Sequence, residues 1–250
     1  MRKMILGMSA LALAAMATPA LAQDEASDGF TLSGGAAIVS DYRFRGVSQN
    51  GEEAAIQGYA TLTHESGFYV GFWGSSINFD TADSLGNPTN QTTEIDAIAG
   101  YSMEVAPGIT VDGGVTYYLY PGGTDLATDI IEPFLSVSGD IGPVSAKVGV
   151  AYSPTGQNSL GNDDSVYLYG DLSAAIPNTP VTLNGHWGYT DGSLGGYTGN
   201  YADYSFGATA SWKALTFGVS YVNTSGYGNK PFKESAGADG TVVFSVSAGF

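Results

Sequence analysis

Residues 94–119 read EIDAIAGYSMEVAPGITVDGGVTYYL, and their alternation decides the fold. Ile95, Ala97, Ala99, Tyr101, Met103 and Val105 fall on one side of an extended chain. Glu94, Asp96, Ile98, Gly100, Ser102 and Glu104 fall on the other. After Ala106-Pro107 the pattern resumes, with Ile109, Val111, Val115, Tyr117 and Leu119 opposite Thr110, Asp112, Gly114 and Thr116. A period of two puts each set on its own face of a sheet. Each segment has more than ten residues, the length a tilted strand needs to cross a bilayer, whereas soluble strands average about 5–6.

The same rhythm recurs along the chain. It predicts twelve strands, at 30–45, 54–64, 67–77, 93–105, 108–120, 129–140, 143–153, 165–176, 180–190, 201–213, 214–223 and 240–250. Val181, Leu183, Trp187 and Tyr189 oppose Thr182, Asn184, His186 and Thr190; Val242, Phe244, Val246, Ala248 and Phe250 oppose Thr241, Ser245, Ser247 and Gly249. The segment at 67–77 is ambiguous, because Tyr69 and Trp73 compete with Phe68, Val70 and Phe72. Tight turns at Glu65-Ser66, Ala106-Pro107, Ile141-Gly142, Asn178-Thr179 and Lys213-Ala214 alternate with long polar stretches at 46–53, 78–92, 121–128, 154–164, 191–200 and 224–239.

Short turns at one rim and long loops at the other are the asymmetry of outer-membrane barrels. The expected fold is all-β, a transmembrane antiparallel up-and-down β-barrel of about 12 strands. An even count leaves both termini at the short-turn rim. Tyr42, Tyr118, Tyr120, Tyr152, Tyr189, Tyr201 and Tyr221 then fall at the outer rim and Phe30, Phe68, Trp212 and Phe250 at the inner one, as interfacial aromatics do. A soluble sandwich would use these rings as core, but leaves the loop asymmetry unexplained. Closure also follows from physics, since hydrocarbon offers no partner to an open sheet edge.

The amino-terminal residues read as an export signal: Arg2 and Lys3, an apolar run from Met4 to Met16, then Ala20-Leu21-Ala22. Cleavage after Ala22 divides the chain into a signal peptide at 1–22 and an outer-membrane β-barrel at 23–250, with the cell outer membrane of a Gram-negative bacterium as the expected location. Removing Arg2 and Lys3 leaves six basic residues against 24 acidic ones, a formal charge of −18. Such a surface excludes nucleic-acid binding, which needs clustered Lys and Arg. No cysteine is present, so disulfides, Cys-metal sites and thiol nucleophiles are excluded together.

Two stretches carry a resemblance. The terminal Phe250, closing an alternating strand, is similar to the aromatic assembly signal of bacterial barrels. Ser40-Asp41-Tyr42-Arg43-Phe44-Arg45-Gly46-Val47-Ser48-Gln49 resembles the opening strand of the TorF-type family of proteobacterial porin-like proteins. That resemblance implies an outer-membrane channel recognised by the barrel-assembly machinery and set among outer-membrane lipids and lipopolysaccharide. It names no solute.

Alternation nominates the lumen-facing residues Asp41, Arg43, Arg45, Glu94, Asp96, Asp112, Glu132, Lys147, Asp171, His186 and Asp203, with Glu104 and Asp140 nearer the inner mouth. Inward placement is favoured because Arg or Lys facing lipid at midplane costs about 2–4 kcal/mol. Arg43 and Arg45 facing carboxylates such as Asp96 and Asp203 across the pore would orient polar solutes, and the acidic excess predicts cation preference. Alternatively, the arginines pair with neighbouring carboxylates and close the lumen. Twelve strands suggest a narrow passage, between the filled interior of eight and the aqueous channel of sixteen.

The functional expectation is a porin-like channel for small polar or cationic solutes, without cofactor. Its rival is a non-conducting structural or adhesive barrel with acidic loops. A hydrolase would need His186 to meet Ser173, Ser205 or Ser211, with Asp171 or Asp203 orienting it. Asn158, Asn162, Asp163 and Asp164 offer oxygen donors to a divalent cation but lack Ca²⁺-loop spacing, and a solvated loop is the simpler reading.

Overall fold

A computed structural model of the protein describes residues 29–82, 88–121, 129–157, 160 and 163–250. The export signal and its cleavage point lie outside these residues, as do Asn158 and Asn162. Twelve antiparallel strands close a barrel: β1 (Phe30–Val39), β4 (Ala55–His64), β5 (Phe68–Ala82), β6 (Pro88–Ala106), β7 (Ile109–Leu119), β8 (Ile130–Ile141), β9 (Val144–Ser153), β10 (Ser165–Ala175), β11 (Val181–Gly192), β12 (Asn200–Trp212), β13 (Leu215–Ser225) and β14 (Thr241–Gly249). Each strand pairs with its sequence neighbours, and β1 pairs with both β4 and β14. The seam ends where Gly34 and Phe250 exchange two backbone hydrogen bonds, 3.0 and 2.9 Å. No edge is left to pair with another chain.

Alternation becomes an outside and an inside. Phe72, Leu135, Val148, Leu183, Phe206 and Phe244 stand exposed on the exterior, while Gln57, Asp96, Asp112, Thr116, Ser136 and Asp203 are buried within. This is the inverse of a soluble protein, and only an apolar solvent around the wall satisfies it. The ambiguous β5 resolves the same way: Phe68, Val70 and Phe72 face out, Tyr69 and Trp73 face in. Large inward rings fit because glycines lie beneath them. A Cβ at Gly100 would come within 2.4 Å of the Tyr69 ring, and one at Gly149 within 2.4 Å of the Tyr169 ring.

Three expectations need correction. The first strand stops at Val39 rather than residue 45, and the chain then turns inward to form a small hairpin of β2 (Arg43–Phe44) and β3 (Val47–Ser48). The polar stretch at 78–92 is in large part a continuation of the β5–β6 ladder, which a bulge between Ser76 and Phe79 carries as far as Ala82 and Pro88. Finally, Tyr42, Tyr118 and Tyr201 are buried inside the barrel, only 4–6% exposed, rather than placed in an interfacial ring. Phe30, Phe68, Trp212 and Phe250 do lie exposed near the short-turn rim. A helix not foreseen in the sequence, α1 (Lys230–Ser235), sits in the last long connection, with Asn229 as its N-cap.

Candidate functional site

The site is the lumen and the hairpin that fills its outer half. Ser40 ends β1 by bonding the Phe244 carbonyl, and the following residues cross into the barrel. At the hairpin tip Arg45 and Gly46 have φ of 49° and 81°. Two consecutive positive φ values between paired strands are the signature of a two-residue type I′ turn. Gly46 is required twice over: its φ favours glycine, and a Cβ there would lie 2.7 Å from Thr224 Cγ2 and 2.9 Å from Asp203 Cβ.

Side chains and backbone hold the hairpin. Arg43 Nε meets Asp41 Oδ2 at 2.6 Å, its Nη2 meets Glu52 Oε1 at 2.9 Å, and its Nη1 donates to the Asp239 carbonyl at 2.6 Å. Ser48 Oγ donates to Asp41 Oδ1, and Ser48 N to the Gly237 carbonyl at 2.9 Å. From α1, Lys233 Nζ bonds Asn223 Oδ1 and the Thr224 carbonyl. Burial lowers the Lys233 ammonium below its ordinary range, while the nearby Asp239 carboxylate raises it. The hairpin is thus fastened to the last long connection as well as to its own flanks.

Its tip reaches the far wall. Arg45 Nη2 lies 2.6 Å from Glu132 Oε1 on β8, and the guanidinium carbon stands 4.2 Å from the centre of the Tyr167 ring. Glu132 also accepts from Tyr118 (2.8 Å) and Ser153 (2.9 Å). Behind Tyr167, His186 Nδ1 meets Asp171 Oδ1 at 2.7 Å and Nε2 meets Asp203 Oδ1 at 3.0 Å. The Tyr167 hydroxyl is 2.9 Å from His186 Nε2 and 3.2 Å from Asp203 Oδ1. Below, Tyr69 donates to Asp112 Oδ1 at 2.9 Å, and Lys147 Nζ lies 5.7 Å from the centre of the Tyr169 ring.

Glu94 and Asp96 form a further group. Tyr120 donates to Glu94 Oε1 at 3.4 Å, and burial with the Glu94 and Asp96 charges pushes the Tyr42 phenol up. Among the described residues, nothing hydrogen-bonds Asp96 Oδ1, Asp112 Oδ2, Asp203 Oδ2 or Arg45 Nη1.

The eleven nominated residues therefore occupy two different supports. Glu94, Asp96, Asp112, Glu132, Lys147, Asp171, His186 and Asp203 project from the wall, β6 to β12, whereas Asp41, Arg43 and Arg45 belong to the inserted hairpin. Arg45 pairs with Glu132, and Arg43 with Asp41 and Glu52, instead of confronting Asp96 and Asp203 across open water. Tyr167, Tyr118, Ser153 and Gly46 were not nominated. Tyr167 shares the face of Asp171 four residues on, so strand phase alone places it in the lumen. His186 has Asp171, Asp203 and Tyr167 at its ring nitrogens and, among the described residues, no serine. Asp164 Oδ2 accepts from Tyr152. Among the described residues, no three His, Asp or Glu side chains are grouped to hold a metal ion.

A bacterial family of unknown function, designated Gcw_chp, matches residues 23–250. The chain belongs to the Gcw_chp family. No curated protein matches it. Among solved structures, the Gcw_chp barrel superposes on the NanC porin with a TM-score of 0.56 at 10% identity, covering 88% of this chain and 98% of that one. It superposes on the KdgM porin with a TM-score of 0.56 at 10% identity, covering 87% and 98%. At this identity the likeness is one of fold. The porin-like barrel implied by the TorF-type resemblance is the architecture found in this Gcw_chp chain.

Proposed function

We propose that the protein is an outer-membrane porin-like channel for small polar or cationic solutes, narrow, acidic and gated by its β2–β3 hairpin. The observation that carries this reading is the inward row of carboxylates inside a closed, externally apolar barrel, with few lumen cations to balance them. Rings of acidic side chains favour cations in pores. The fold shared with the NanC and KdgM porins supports a channel.

In this account residues 1–22 direct export and are removed, 23–250 form the barrel, and Phe250 is read by the assembly machinery. Outer-membrane lipids and lipopolysaccharide surround the wall. Single-channel recording with sugars of graded size tests the proposal: small current steps, blocked by small sugars only, are expected. Absence of any current refutes it.

A second reading has a specific observation in its favour. The paired Arg43 and Arg45 close the outer half of the lumen, as a non-conducting structural or adhesive barrel would require. The same recording separates the two, because an adhesive barrel passes no ions even when the hairpin is cut away.

A further inference from the structure

We infer that the connection from β13 to β14, residues 229–240 with α1, is a latch that holds the β2–β3 hairpin in the lumen from the outer side. The inference rests on the reading of the hairpin as a gate and names what keeps that gate shut.

Three successive carbonyls make the latch. Those of Gly237 and Asp239 accept from the hairpin, from Ser48 N at 2.9 Å and from Arg43 Nη1 at 2.6 Å. That of Ala238, between them, accepts from Thr224 Oγ1 near the end of β13 at 2.7 Å. Residues 237–239 are thus bonded to the hairpin and to the wall at once, and Ala238 is fully buried there. Gly237 suits the place twice. Its φ is 58°, and a Cβ on it would lie 2.7 Å from Ser48 Cβ, so a residue without a side chain lets the two segments approach this closely.

α1 carries the latch. Gly237 N donates to the Glu234 carbonyl at 3.2 Å and Ala238 N to the Lys233 carbonyl at 2.9 Å, with left-handed Gly237 following the Ala236 C-cap. This pair of bonds is the Schellman end of a helix. It makes residues 237 and 238 a continuation of α1 rather than a separate loop. α1 is pinned in turn to the end of β13 by Lys233, whose Nζ meets Asn223 Oδ1 at 2.6 Å and the Thr224 carbonyl at 2.5 Å.

The balance of forces marks this connection as the part that lifts. A wall strand shares ladder bonds with a neighbour on each side, whereas α1 buries none of its residues. An element with so little buried surface opens at low cost, and hydrogen bonds from a charged donor are worth more than neutral ones. The Lys233 ammonium therefore carries much of the hold. When it lets go, α1 and the carbonyls behind it move together, and the hairpin loses Gly237 and Asp239 in one step. Arg45 and Glu132 secure the tip from inside; the latch is the hold that can be reached from outside.

Two substitutions release it by different means. Lys233→Met keeps the side-chain stem and removes the ammonium, and Gly237→Ala drives a methyl group against Ser48. Lys230→Met is the control, since that side chain is 85% exposed and faces only Glu234, at 3.5 Å, among the described residues. The refolded proteins, checked by heat-modifiable migration on gels, are compared by the rate of proteolysis within residues 40–54 and by unitary conductance in planar bilayers. Lys233→Met and Gly237→Ala should each speed cleavage of the hairpin about tenfold or more, as loss of a charged hydrogen bond does, and enlarge conductance. Lys230→Met should do neither. Faster cleavage within 226–240 without faster cleavage within 40–54 overturns the latch, because the connection then moves without the hairpin. An equal effect of Lys230→Met overturns it as well. If Gly237→Ala does not fold, Lys233→Met decides alone. The two claims fail separately: faster hairpin cleavage with no current in any form keeps the latch and removes the channel, while current with unchanged hairpin cleavage keeps the channel and removes the latch.

Discussion

Arg45 and Glu132 meet at 2.6 Å inside the barrel although 87 residues separate them in the chain, and both side chains are at most 5% exposed. This contact ties the inserted hairpin to the barrel wall. Arg45→Ala and Glu132→Ala should each undock the hairpin and enlarge single-channel conductance. Their effects should not add. A double-mutant cycle on hairpin docking, read from the rate of proteolysis within residues 40–54, should give a coupling of about 1.5 kcal/mol or more, as close buried charge pairs do. Simple additivity would show that the pair does not hold the hairpin.

Gly46→Val should undock the same element by sterics instead of charge. The new side chain meets Thr224 and Asp203 at a backbone φ of 81°, a strain of about 1–3 kcal/mol. The barrel ladder is untouched, so urea unfolding should lose only about 1–3 kcal/mol, the cost of the strained or undocked tip, while conductance rises. Unchanged conductance contradicts the docked tip.

His186 separates two carboxylates in the wall. His186→Gln should lower barrel stability by about 3 kcal/mol in urea unfolding, because Asp171 and Asp203 lose the group between them. His64 hydrogen-bonds Ser66 and its ring centre lies 4.7 Å from that of Phe30 at the rim, with no carboxylate bonded to it among the described residues, and His64→Gln should shift stability by less than about 0.5 kcal/mol. Equal effects at the two positions would remove the structural role given to His186.

Leu135 faces outward midway along β8 and is 52% exposed. Leu135→Arg should cost about 2–4 kcal/mol on folding into lipid vesicles, the range for a cation on the lipid face. A neutral outcome would mean that water, and not lipid, meets this face.

What the sequence revealed, and what it hid, follows from periodicity. Strands such as β6 and β14 were legible because lipid and lumen impose opposite demands on successive residues. The hairpin was hidden for the same reason: Val39, Asp41, Arg43 and Arg45 keep alternating with Ser40, Tyr42 and Phe44, so period two runs past the true end of β1. Only the Arg45-Gly46 turn breaks it, and Arg-Gly is a weaker turn signal than Asn-Gly. Tyrosine misled because its amphipathic ring suits both a membrane interface and a crowded lumen. Tyr118 and Tyr201 share the phase of the inward residues Thr116 and Asp203, and phase was the better guide. The Arg45–Glu132 pair joins distant stretches, which no local pattern encodes.

The central claim is that an acidic lumen passes ions and that the hairpin restricts it. The most direct test is the reversal potential and unitary conductance, in planar bilayers under a potassium chloride gradient, of the wild-type protein and of a form lacking residues 42–50. The account predicts cation preference in both and a larger unitary conductance once the hairpin is gone. Anion preference, or silence in both forms, would contradict it.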